Sequence, residues 1–275
     1  MAPPALARLR RTLWSGACAE PGDRLVPEET AVALVHDAST TAVMMATPAD
    51  LEDFAYGFTL TEGIVPAPSH IRNVEIAECE LGIEARVWLE PGAGAALAER
   101  RRRIAGPSGC GLCGVESLAQ AVRPPPHVGD TLRLRPGDVE AALAALAPAQ
   151  ALGRATRAVH AAGWWTPSDG LVAIREDVGR HNALDKLAGA LVRSGHPGTG
   201  VVLLTSRVSV EMVQKAAVLS AEALVAISAP TALAVRTAQA AGMTLIAIAR
   251  DDSFEVFTHP HRLRAGDASP EPGTS

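Results

Sequence analysis

From Leu171 to Ala249, short runs of branched, uncharged residues alternate with amphipathic stretches. Leu171–Ile174, Val201–Leu204, Ala223–Ile227 and Thr244–Ala249 read as strands. Between them the apolar period becomes helical, over Val178 to about Arg193, Ser209–Ala221 and about Thr231–Ala241, the last closed by Gly242. Uncharged strands separated by helices of about 12 to 15 residues predict a sheet covered on both faces.

The first third reads differently. Thr30–His36 and Thr41–Ala46 form two short strands around the polar turn Asp37-Ala38-Ser39-Thr40. Thr47-Pro48-Ala49-Asp50 starts a helix, with Thr47 as the cap and Pro48 in the first turn. Leu51, Phe54, Ala55 and Phe58 give that helix one apolar stripe, and Gly63 ends it. Ile83, Ala85, Val87 and Leu89 alternate with Glu84, Arg86 and Trp88, as on a half-buried strand. The pattern thus predicts a flexible segment over 1–23 and an α+β domain over 24–105. A glycine-rich loop and proline joint follow over 106–126, then an α/β domain over 127–259 and a loose tail over 260–275.

Composition narrows the function. Of 275 residues 48% are hydrophobic and 20% charged, which is ample for a core and unlike a disordered chain. Aromatics make up only 3% and the formal net charge is −5, so the chain lacks both the stacking rings and the basic footprint of a nucleic-acid binder. No apolar run approaches the ~18 residues of a membrane span, and no signal-type segment is evident. A reducing cytoplasm is therefore the expected location, where a close cysteine pair is more often chemical than structural.

Such a pair lies in Ser108-Gly-Cys110-Gly-Leu-Cys113-Gly114, ahead of the helical pattern Val115–Val122. A following helix N-terminus would favour thiolate at Cys110, and the flanking glycines would leave the sulfur approachable. The bland alternative is half of a structural zinc site, but no second CxxC supplies the other ligands. None of the eight histidines starts an HxE, and Gly109 rather than Pro precedes Cys110, which argues against a zinc deaminase. The mid-chain position argues against a thioredoxin fold without excluding dithiol redox chemistry.

A second cluster, Arg175-Glu-Asp177-Val-Gly-Arg180-His181-Asn182-Ala-Leu-Asp185-Lys186, joins a strand end to a helix start. Asp177 can cap the helix, and Arg and His at its positive end suit an anion such as phosphate. A capped helix with ordinary ion pairs is the alternative. Thr205-Ser206-Arg207 and Ser228-Ala229-Pro230-Thr231 close the next two strands, on the same rim if the strands are parallel. Ser209 and Thr231 also suit plain helix caps. His160, among small apolar residues, reads as a core histidine.

In order along the chain, these segments resemble the FdhD family of sulfurtransferases that mature formate dehydrogenases. The resemblance is carried by Pro27-Glu-Glu29, Thr47-Pro48 through Leu60-Thr-Glu-Gly-Ile64, Ser108–Gly114, Val159-His-Ala-Ala162, Arg175–Lys186, Ser209-Val-Glu-Met-Val-Gln-Lys-Ala216 and Ser228-Ala-Pro230. It implies an α/β protein whose C-terminal three-layer αβα domain is similar to the cytidine-deaminase fold, beside a smaller N-terminal α+β domain. It implies a homodimer with no resident cofactor or metal. Sulfur would arrive from a cysteine desulfurase as a persulfide on Cys110, with Cys113 assisting or resolving. It would pass to the molybdenum bis(molybdopterin guanine dinucleotide) cofactor, held as substrate, for a formate dehydrogenase apoenzyme. Arg180, His181, Lys186 and Arg207 would line the guanine nucleotide site, and the family's cofactor-binding segment corresponds to Phe254, Glu255, Val256, Phe257, Thr258 and His259. Ser206 stands where the family usually has Gly, Phe257 where Tyr is common, and Arg157-Ala158 where Gly-Gly precedes the Val-His. The competing expectations are a cofactor-binding chaperone that handles no sulfur and a dithiol redox protein.

Overall fold

The computed structural model describes residues 3–93, 123–195, 198–250 and 252–264. The chain opens on a long antiparallel hairpin, β1 (Leu6–Ser15) and β2 (Cys18–Pro27), paired from Leu6 opposite Pro27 to Ser15 opposite Cys18. The flexible segment expected over 1–23 is therefore mostly paired strand. The period was not visible because this ribbon buries neither face: Leu9, Leu13 and Trp14 are exposed, and arginines fall between them. Arg24 ties the hairpin to the body by donating to the Thr156 carbonyl at 3.0 Å.

β3 (Thr30–His36), β4 (Ser39–Ala46), α1 (Leu51–Thr61), β5 (Ile71–Cys79) and β6 (Gly82–Leu89) follow. They build a four-stranded sheet in the order β4-β3-β6-β5. Helix α1 lies on it, burying Phe54, Ala55 and Phe58 against Val32, Leu34, Ile83, Ala85 and Val87. The predicted stripe is the buried one. Thr47, however, is not the cap. That position is Asp50, in a left-handed conformation without a side-chain hydrogen bond, and Thr47 is fully buried for another purpose.

The second half adds α2 (Pro136–Ala149), α3 (Ala151–Thr156), β7 (His160–Thr166), β8 (Gly170–Asp177) and α4 (Arg180–Arg193). Then come β9 (Val201–Leu204), α5 (Val210–Val218), β10 (Ala223–Ala226), α6 (Ala232–Ala241), β11 (Thr244–Ala247) and β12 (Glu255–Val256). Their six-stranded sheet has the order β12-β11-β10-β9-β7-β8. One face, with Ala162, Trp164, Val202, Leu204, Leu224 and Leu245, packs beneath α4, α5 and α6. The other, with Trp165, Val201, Leu203, Val225 and Ile246, packs on Val139, Ala142 and Leu146 of α2. The architecture is thus α/β, a three-layer αβα body beside an α+β layer. Residues 260–264 are not loose. Leu134 N–H donates to the Arg262 carbonyl while the Leu134 carbonyl accepts from Arg264 N–H, and buried Arg262 donates to Thr244 Oγ1 and the Gly129 carbonyl. Among the described residues no helix is long and apolar enough to cross a membrane.

The halves meet along α1 and α4. At Gly57 the backbone of α1 lies against Asp185 of α4, and at Gly189 the backbone of α4 lies against Asp53 of α1. Ions line the seam on both sides of this contact. Asp53 pairs with Arg175 and Arg193, Asp185 with Lys215, and Asp177 with Lys186.

Candidate functional site

β7 runs antiparallel to both β8 and β9, so β8 and β9 point the same way although they are not neighbours. β9, β10 and β11 are parallel. Asp177, Thr205-Ser206-Arg207 and Ser228 therefore do share one rim, where the N-termini of α4, α5 and α6 also begin. The inserted strand adds a residue to it. His160 opens β7 directly opposite Asp177, and residues His160, Ala162 and Trp164 alternate onto the helix-covered face. Backbone bonds lace the rim: Thr205 N–H to Ala161 O, Val208 N–H to Ala229 O, and Thr231 N–H to Val208 O. Thr231 caps α6 by accepting from Ala234 N. Ser206 is buried and donates to the Arg207 carbonyl, while Arg207 is exposed.

Most of the 175–186 cluster turns inward. Asp177 does not cap α4, whose N-cap is Gly179. Its carboxylate instead accepts from Thr47 N, Gly179 N, Asn182 Nδ2 and Lys186 Nζ, at 2.6 to 2.9 Å. Lys186 is fully buried and also donates to the Thr47 carbonyl, so it cannot line the rim as expected. Burial pulls its ammonium below the usual lysine value, against Asp177. Asn182 spans from Asp177 to the Met45 carbonyl. Glu176 reaches the opposite face and accepts from Leu152 N and Gly153 N at the start of α3. Asp185 accepts from Thr61 and Lys215, and burial pushes its carboxyl above the usual range despite that lysine. Helical spacing places such residues on one face, but which face meets the other half depends on tertiary packing.

Arg180 and His181 are what the cluster leaves at the rim. Both are half-buried, and the Arg180 Nε is a buried donor without a partner among the described residues. His181 reaches from α4 toward α5, its Nε2 lying 3.9 Å from Glu211. Burial, then Arg180 and Lys215, push the His181 pKa down to about 4, while Glu211 and Glu62 oppose this. The folded protein thus resists a proton that the unfolded chain accepts near 6.5. Stability from this group is full above that value and drains away as pH falls toward 4, by at most about 3 kcal/mol. Urea titrations across this window are expected to show a flatter acid limb for His181→Gln than for the wild type.

His160 makes no side-chain hydrogen bond among the described residues, and burial followed by Arg180 lowers its pKa, against Asp177. The sequence reading placed it in the core, whereas the structure leaves it half-buried at the rim, because β7 was not recognised as a strand; the signal available was the Trp164-Trp165 pair, since aromatic residues favour strands.

The segment Phe254–His259 runs away from the rim. β12 pairs antiparallel with β11, so Phe254 and Glu255 lie at the rim level, but ~24 Å from β8 across five strand spacings. Val256 and Phe257 pack on the two cores. Thr258 is buried, donating to Met243 O and accepting from Leu245 N. His259 lies at the opposite end of the sheet, beside Thr244 and the Gln239 carbonyl. Cys110 and Cys113 lie outside the described residues.

A family model described as "FdhD/NarQ family" matches residues 27–264. A protein of Agrobacterium fabrum named "Sulfur carrier protein FdhD" is 53% identical over 258 residues, 93% of this chain and 95% of its own. Its namesakes in Brucella abortus and Cupriavidus necator are 51% and 49% identical, over 87% of this chain and 90% and 83% of theirs. Among solved structures, a protein of Desulfotalea psychrophila described as a candidate formate dehydrogenase accessory protein superimposes with a TM-score of 0.76. It covers 95% of this chain and 100% of its own, and at 24% identity it speaks for the fold alone.

Proposed function

The chain belongs to the FdhD/NarQ family, and from that premise we propose that it is a sulfur carrier in the maturation of formate dehydrogenase. The observation that carries this is near-full-length identity of about one half to proteins named as sulfur carriers. In the finer reading, the Cys110 thiolate attacks the outer sulfur of a cysteine desulfurase persulfide. The donor S–S bond breaks, a new one forms at Cys110, and the electron pair leaves with the donor thiolate, so no net oxidation occurs. The outer sulfur would then pass to the guanine dinucleotide form of the molybdenum cofactor, bound as substrate, with Cys113 assisting or resolving: in the resolving case its thiolate attacks the Cys110 sulfur, the persulfide S–S bond breaks, a Cys110–Cys113 disulfide forms and the outer sulfur leaves at the sulfide level. A cysteine among glycines, just ahead of a helix that the sequence pattern predicts, suits this chemistry.

The rim would hold the nucleotide arm. Arg180 and His181 at the α4 N-terminus and Arg207 beyond β9 supply donors for phosphate oxygens, and the helix dipoles favour an anion there. A cytoplasmic homodimer serving an apo-dehydrogenase completes the reading.

The test is sulfur loading. Incubated with a cysteine desulfurase and isotopically labelled cysteine, the wild type is expected to gain one sulfur on Cys110 by mass spectrometry and to activate an apo-formate dehydrogenase. Cys110→Ala is expected to lose both, by at least about 100-fold. Activation by Cys110→Ala at the wild-type level would instead favour a cofactor chaperone that handles no sulfur.

A further inference from the structure

The β1–β2 hairpin is tied to the body at its root, where Arg24 donates to the Thr156 carbonyl and Glu28 N–H to the Ala5 carbonyl. Beyond the root it is an arm. From Arg8 through Arg24 every residue of its two strands except Arg11 is exposed, and Trp14 keeps 68% of its surface. The pairing is regular from root to tip, so Arg8, Arg10, Thr12 and Trp14 share one face and Leu9 and Leu13 the other. A two-stranded ribbon is marginal in water unless a third strand or another surface covers it. Among the described residues neither edge of this one is paired.

A surface of matching size lies open on the same chain. Helix α1 covers one face of the four-stranded sheet. On the other face Val43 and Met45 are 61% and 51% exposed, and Asn73 and Glu75 are exposed as well. Val43, Ala33, Glu84 and Ala77 form one row across the four strands, and Met45 and Ala31 begin the next. Ala31 and Ala33 of β3 thus make a shallow floor between Val43 and Met45 on β4 and Glu84 on β6, with room above it for an indole.

We propose that the chain dimerises by arm exchange, the hairpin of each copy crossing the open sheet face of the other and seating Trp14 over Ala31 and Ala33. Charge supports the match. The Trp14 face of the arm carries Arg8 and Arg10 against Asp23, whereas the sheet face carries Glu75 and Glu84 against Arg86, with Glu80 in the adjoining turn. Length supports it too. Arg8 to Ser15 spans about 24 Å of strand, against about 14 Å between the outer strands of the sheet. Only Glu28 and Glu29 separate the arm from β3, a central strand of that sheet. A two-fold axis beside this junction therefore exchanges both arms at once, and every contact is made twice. With Leu6–Pro27 as the arm, each copy supplies about the 20 to 30 residues a side of a standard interface. The inference rests on the homodimer in the proposed function and gives it an interface; it does not depend on sulfur transfer.

Analytical ultracentrifugation of the full chain tests this. The wild type is expected to sediment as a dimer at about 10 μM. Trp14→Asp on the arm and Val43→Lys on the sheet are each expected to raise the dissociation constant at least about 30-fold. Both side chains are exposed in the single chain, so circular dichroism is expected to show each variant folded. Leu9→Asp, on the opposite face of the arm, is the control and is expected to leave association unchanged. Mixing the two disrupted variants distinguishes arm-on-sheet contact from arm-on-arm contact. The intact arm of Val43→Lys fits the intact sheet of Trp14→Asp, so the mixture is expected to associate at least about tenfold more tightly than either variant alone. The inference is overturned if the wild type is monomeric, if Trp14→Asp or Val43→Lys dimerises like the wild type, if Leu9→Asp is as disruptive as Trp14→Asp, or if the mixture does not associate. A dimer that persists in both variants leaves the homodimer standing on another interface, and sulfur loading of Cys110 decides the carrier reading separately.

Discussion

Gly57→Ala is expected to destabilise the protein by about 3 kcal/mol or more, read as a lower urea midpoint. A Cβ built on Gly57 would stand 2.6 Å from the Asp185 carbonyl carbon and 2.8 Å from Gly189 N, both backbone atoms of α4. No rotamer relieves such a clash, so the two helices must separate. Gly189→Ala meets the same obstacle from the other side, 2.6 Å from the Asp53 carbonyl carbon and 2.7 Å from its Cα. Alanine's better helix propensity recovers only about 1 kcal/mol. Exposed Gly137, in the first turn of α2, provides the control. Nothing lies within 4 Å of a Cβ there, and Gly137→Ala is expected to raise stability by about 0.5 to 1 kcal/mol. The same substitution should thus change sign with place. Equal effects at positions 57 and 137 would refute the close helix contact.

That contact explains why the two ionic groups beside it are so deeply buried. Helices drawn together at glycine leave no room for water between the flanking side chains. Asp177, Asp185, Lys186 and Lys215 are consequently enclosed, and Lys186 and Lys215 also lie 5.9 and 5.8 Å over the rings of Phe54 and Phe58.

How far the sequence disclosed this structure depends on what each signal measures. β9, β10, β11 and the helices α4 to α6 were legible within a few residues, because strands covered on both faces read as uncharged runs and their helices as amphipathic ones. β7 was not, since its Ala-Ala-Gly-Trp-Trp run has neither the branched residues nor the polar alternation that marks a strand. Its omission concealed His160. The hairpin β1–β2 was missed for the opposite reason, having no buried face to create a pattern. Within 175–186, the residue types correctly indicated a charged strand-to-helix junction. They did not indicate that Thr47, 130 residues upstream of Asp177, provides its partner. Lys186 and Arg180 look equivalent in the sequence. Only the packing of α1 sends one inward and leaves the other at the rim.

The second large effect is expected at that inward lysine. Lys186→Met should cost about 3 to 5 kcal/mol at neutral pH, because it strands the Asp177 carboxylate in a fully buried site without a counter-charge. Three hydrogen bonds to it would remain, from Thr47 N, Gly179 N and Asn182, and these limit the loss. The double variant Asp177→Asn, Lys186→Met removes the uncompensated charge and should recover at least about 1 kcal/mol of the single-variant loss. Function should follow stability here, without either residue touching a ligand. Asp177 holds Gly179 and Asn182 in the first turn of α4 and joins that turn to Thr47 of the N-terminal half. Loosening it frees the two residues that turn carries to the rim, Arg180 and His181. Lys186→Met is therefore expected to weaken binding of a guanine nucleotide such as GDP at the proposed rim while leaving sulfur loading on Cys110 intact, and unchanged binding would show that the rim is held by its strands alone.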